Sequence, residues 1–136
     1  MARKKADGDI FDIYLDSDNS ASTGYLTGGF PDGGYDILME GQPLTGALDV
    51  FYHTGADQGA FAFSPQSISE AYNIGTVAES GGNNVKFEMR LARGKLKNLT
   101  GSGLRIAIQA VKNDWSAFIG NAPSEGTSGF LFDMSE

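Results

Sequence analysis

Short apolar stretches that alternate residue by residue, cut apart by clusters of glycine, leave this chain few choices other than a sheet protein. The clearest stretch is Val85, Phe87, Met89 and Leu91, with Lys86, Glu88 and Arg90 between them. Successive side chains of a strand point to opposite faces, so this pattern marks a half-buried strand. From Ile10 to Asp16, Phe11, Ile13 and Leu15 fall on one face, Asp12 and Asp16 on the other, with Tyr14 between them. Further strands are predicted at Tyr35–Glu40, Leu48–His53, Ala60–Phe63, residues 71–79, Leu104–Val111 and Phe130–Met134. The 19 glycines show no collagen-like period and collect between these runs, where turns need them. GADQG at 55–59 and SGGNN at 80–84 read as hairpin turns, and residues 17–34 as one long loop. Ala92 to Leu99 has helix-compatible spacing around a central glycine and predicts one short helical turn. The expected fold is all-β, a jelly-roll-like antiparallel β-sandwich with that one short helical turn. Its 136 residues suit a single domain, with residues 1–8 as a linker.

The chain has no cysteine, which excludes disulfides, a thiol nucleophile and a cysteine-based zinc site. A bound metal can replace a disulfide as the staple of a small domain. The net charge of −7 disfavours nucleic-acid backbones and anionic membranes as partners and suits a cation. No apolar run is long enough to insert across a bilayer. The opening MARKKADGD has basic residues with no apolar stretch behind them, unlike an intact secretory signal; the chain is expected to be a mature or trimmed extracellular form.

The loop after the first strand carries the chemistry. Asp16, Asp18 and Ser20 lie at alternate positions, followed by Thr23 and Gly24. Ca²⁺ takes six to eight oxygen ligands, and oxygens at alternate positions of a tight loop can converge on one ion. The same spacing also fits an Asx-turn loop, in which Asp16, Asp18 and Asn19 cap their own backbone. Spacing alone leaves both open. Asp36, beyond the glycine-rich stretch, tips the balance towards a cation, because carboxylates gathered at one pole repel one another without one.

The run DIYLDSDNSASTGY followed by GGYDILMEG resembles a signature of bacterial extracellular sandwich domains. These are related to family 9 carbohydrate-binding modules and the wider DOMON-like group. There, a strand ending in Asp-x-Asp-Asn passes through Thr-Gly to Gly-x-Asp-Tyr-Leu-x-Glu. Asp16, Asp18, Asn19, Thr23, Gly24, Gly34, Asp36, Leu38 and Glu40 stand in those places. VKFEMRLARGKL is similar to the family's amphipathic strand and Arg-containing turn, and NDWSAFIGNAPSEG to its late loop. The resemblance implies a jelly-roll-like sandwich with structural Ca²⁺, in a secreted or surface protein. Asp16, Asp18 and Asp36 map onto the acidic positions; Ser20 and Thr23 are added as candidate ligands from geometry.

Sugars bind by stacking on aromatic rings and by hydrogen bonds to polar side chains. Trp115, the sole tryptophan, sits in the polar stretch KNDWSAF and reads either as a lid folded on the core or as a ligand contact. It is the first candidate for ligand contact, with Tyr25, Tyr35 and Arg90 behind it. His53, the sole histidine, ends a strand and is expected to face solvent or a carboxylate. With no partner histidine or cysteine and no G-x-S-x-G elbow, the chain reads as non-catalytic. The expectation is a Ca²⁺-stabilised, carbohydrate-binding module. The alternative is a structural or adhesive Ca²⁺ domain that packs on neighbouring domains or a protein partner.

Overall fold

A computed structural model describes residues 3–4, 7–78, 84–97, 99 and 101–135. In chain order the strands are β1 (Arg3–Lys4), β2 (Ile10–Asp16), β3 (Tyr25–Thr27), β4 (Phe30–Tyr35), β5 (Ile37–Gln42) and β6 (Ala47–His53). They continue with β7 (Phe63–Gln66), β8 (Tyr72–Ala78), β9 (Asn84–Leu91), β10 (Gly103–Val111), β11 (Phe118–Ala122) and β12 (Phe130–Asp133). A large sheet runs β11-β10-β2-β5-β6-β7, with β12 also paired to β10; a small sheet runs β1-β9-β8; β3 and β4 form a separate hairpin. All pairings among the described residues are antiparallel. The protein is an all-β sandwich.

Alternation gives the large sheet two faces with different fates. Phe11, Ile13 and Leu15 of β2, Ile37 and Met39 of β5, and Val50 of β6 point to the small sheet, where Ile74, Phe87, Met89 and Leu91 meet them. Phe11 and Phe87 pack edge to face with centroids 5.7 Å apart. Each such buried side chain contributes roughly 1.5–3 kcal/mol, so this layer holds the sandwich together. On the reverse face, Tyr14, Leu38 and Ala107 are covered by Phe30 and Tyr35 of the β3–β4 hairpin. Asp12, Glu40 and Gln109 occupy the next row of that face and line an open groove.

Several local expectations shift. Residues 17–34 are not all loop: they hold β3 and all of β4 except Tyr35. The strand expected at Ala60–Phe63 begins at Phe63, and residues 118–122, expected as loop, form β11. In the described part of residues 92–99, two isolated turns (Lys95 N to Ala92 O, Leu99 N to Leu96 O) stand in place of a helix. Gly94 disfavours helix there, and so short a segment cannot offset helix nucleation. The helical piece is instead a 3₁₀ turn at Pro43–Thr45, where proline presets φ for a first turn. Arg3 and Lys4, expected in a linker, pair with Val85 and Asn84. The SGGNN turn lies outside the described residues except for Asn84.

Candidate metal centre and ligand groove

The β2 strand delivers Asp16 to the reverse face at its last residue, and the chain then turns sharply through Asn19, at φ +53°. Asp16 Oδ1 accepts the Ser20 N–H at 3.0 Å. Asp36, between β4 and β5, accepts both the Ser17 N–H (3.1 Å) and the Ser17 hydroxyl (3.0 Å). These bonds tie the end of one strand to the start of another. They bring Asp16, Asp18 and Asp36 together, with a carboxylate oxygen of each within 4.8 Å of the others. Two oxygens that share one Ca²⁺ at about 2.4 Å lie at most about 4.8 Å apart, and the triad meets that condition.

The hairpin is pressed against this loop. A Cβ on Gly34 would overlap the carbonyl oxygens of Ser20 and Thr23, so only glycine lets β4 pass. Gly24 turns the loop at φ +67° against the Tyr35 backbone. Gln58, from the β6–β7 turn, latches the loop by donating to Ala21 O (3.0 Å) and Thr23 O (2.9 Å).

Electrostatics sharpen the case. Asp16 is 1% exposed, and its Oδ2 has no hydrogen-bond donor among the described residues. Its nearest cation is the Arg105 guanidinium at 3.9 Å. Burial, above all, pushes the Asp16 carboxyl up to about 6; Asp36 and Asp18 add to this, and the Ser20 N–H opposes it. Asp36 is likewise raised, by burial first and then by the Asp18 charge, against the Ser17 bonds and Lys97. A divalent cation among these oxygens would reverse both shifts. The cluster opens to solvent through a depression of about 620 Å³ that includes Asp18, Asp36, His53 and Lys97.

Ser20 and Thr23, expected as ligands through side-chain or backbone oxygen, make hydrogen bonds within the loop. The Ser20 hydroxyl pairs with that of Ser22 at 2.8 Å, and Thr23 Oγ1 lies 3.0 Å from both oxygens of Asp18. His53 is largely buried against Tyr25 and Phe63, with Nε2 3.1 Å from Ala60 O, and its remaining surface lines the depression beside Asp18 and Asp36.

The ligand candidates divide in two. Trp115, in the tight β10–β11 turn at φ +61°, is 54% exposed and does not cover the core. It lines a groove of about 630 Å³, together with Tyr25, Tyr14, Phe61 and Phe118. Tyr35 is 0% exposed, wedged between Tyr14 and Phe30, so it is a core residue and not a ligand contact. Arg90 lies on the small sheet and lines a different depression with Glu70 and Lys95.

The groove floor was not foreseen. Gln109 of β10, Asp12 of β2 and Glu40 of β5 stand opposite one another in register and form a polar row under the aromatic walls. Burial first, then the Glu40 charge and a hydrogen bond between the two carboxyls, push Asp12 up to about 7. Tyr14 is raised as well, by burial and then by Asp12. The alternation of β2 does place Asp12 off the core. Only the strand register shows what lies beside it.

No protein-family model, curated protein or solved structure matches the chain.

Proposed function

We propose that this chain is a non-catalytic binding module of a secreted or cell-surface protein. In this reading it takes a carbohydrate in the Trp115 groove and is stabilised by Ca²⁺ at Asp16, Asp18 and Asp36. The observation that carries it is the pairing, in one open groove, of a half-exposed tryptophan and flanking rings with a row of amide and carboxylate groups. Flat rings suit the apolar face of a sugar, and the row suits its hydroxyls. The resemblance of the first loop to family 9 carbohydrate-binding modules points the same way.

Titration of the Ca²⁺-loaded protein with a panel of oligosaccharides, followed by amide NMR, tests the reading. Binding should shift the Trp115 indole and Tyr25 signals, and Trp115→Ala should weaken it about tenfold. A folded protein whose spectrum moves with no sugar sinks the proposal. A second reading, a structural domain that packs on neighbours, is favoured by exposed Phe130, Leu131 and Phe132 on β12. It predicts that silent result.

A further inference from the structure

The groove has walls that suit any sugar, but its floor is selective. Asp12 is 6% exposed, and its Oδ1 has no hydrogen-bond partner among the described residues. A buried acceptor left without a donor costs free energy until something supplies one. Beside it lies Glu40, a second acceptor when ionised. No lysine or arginine is among the described residues that line the groove. Two neighbouring carboxylates therefore face an opening walled by Tyr14, Tyr25, Phe61, Trp115 and Phe118, with no protein cation to answer them. Asp49, opposite Glu40 on β6, extends the acidic row.

A neutral hydroxyl can donate one hydrogen bond here but leaves the negative charge of the pair uncompensated. An ammonium group brings three donors and a positive charge. It can bond to the Asp12–Glu40 pair and answer its charge, and the aromatic faces attract an organic cation. A bare metal ion would use the carboxylates but gain little from the rings. Gln109, on the far side of Asp12, remains for a sugar hydroxyl.

Resting on the carbohydrate reading above, we propose that the groove selects an amino sugar whose ammonium group sits over the Asp12–Glu40 pair while its ring stacks against the Trp115 wall.

The test compares three β-1,4-linked tetramers of one ring type: glucosamine, N-acetylglucosamine and glucose. Each is titrated into the intact protein at saturating Ca²⁺, with affinity read by calorimetry and the Trp115 indole signal. The glucosamine tetramer should bind at least ~10-fold tighter than the other two, the worth of a charge-assisted hydrogen bond. Asp12→Asn and Glu40→Gln should each erase that preference while leaving the Trp115 signal responsive to sugar. Both keep the side-chain size, so either one suffices if the other fails to fold. Equal or tighter binding of the neutral tetramers overturns the inference and leaves the carbohydrate reading standing. An amine preference that survives in both variants also overturns it, because the preference then arises from the overall charge. If no tetramer binds the folded wild type, both fall.

Discussion

A carboxylate persists on a buried sheet position only when something answers its charge, and at Asp12 burial and the neighbouring Glu40 favour the protonated form up to about pH 7. The consequence for stability has a definite sign. The folded-state value, about 7, lies above the ordinary 3.8, so the folded protein binds more protons than the unfolded chain between those values. Stability from this residue is fully present near pH 4, declines as pH rises through the window, and levels off above about 7. Each unit of the shift is worth about 1.4 kcal/mol. Asp12→Asn keeps the shape and removes the titration. Its urea midpoint should match wild type near pH 4 and exceed it by about 1–3 kcal/mol equivalent at pH 8. Subtracting the two profiles at each pH cancels the contributions of Asp16 and Asp36. Parallel profiles from pH 4 to 8 would show that Asp12 is not held as described.

At the scale of elements, the β3–β4 hairpin connects the candidate metal loop to the groove. It covers Tyr14 and Leu38, and its return strand passes directly under Ser20 and Thr23 at Gly34. Gly34→Ala should push the hairpin off the loop, costing about 2–4 kcal/mol and most of any Ca²⁺ response in thermal melts. Gly28→Ala, in the turn of the same hairpin with open space at its Cβ, should do neither. Equal behaviour of the two variants would mean the close approach is not structural. The hairpin also shows where reading the sequence stops. FPDGGY contains a proline and two glycines and no alternation, so nothing marked it as a strand. FIGNA, the β11 strand, reads as loop because it is short, holds Gly120 and lies in a polar stretch. By contrast, β2, β9 and β10 alternate over seven to nine residues and could be read directly. The acidic triad was legible because Asp16 and Asp18 are local and Asp36 follows a single excursion. The groove was not, because Gln109, Asp12 and Glu40 meet only through cross-strand register. Nor could periodicity tell Tyr35, which is core, from Tyr25, which lines the groove.

For the molecule as a whole, the question is what a sandwich without disulfides uses to fix the pole where its strands leave the sheet. The core between the two sheets does not reach the acidic loop; what holds that pole is Ser17, Ser20 and Gln58 bonding to the loop and to Asp36. Asp16 and Asp36 are buried there in a chain of net charge −7, so a cation bound at that pole would add to the stability that the hydrogen bonds supply. An ion that binds only the folded state stabilises it by RT ln(1 + [L]/Kd), about 2.7 kcal/mol at a hundredfold excess over Kd. For a domain of this size that corresponds to a rise of about 10 °C in Tm. Chelation should lower the melting temperature by that order, and added Ca²⁺ should restore it. Asp18 is the member of the triad to remove, because it is exposed and its loss leaves no hole in the core. Asp18→Ala should fold, melt near the chelated wild type, and no longer respond to Ca²⁺. The tetramers should still perturb the Trp115 indole in this variant, since the groove floor is built from strands that do not depend on the loop. A wild-type melting curve that chelator leaves unmoved would instead assign the three carboxylates to accepting hydrogen bonds from Ser17, Ser20 and Thr23.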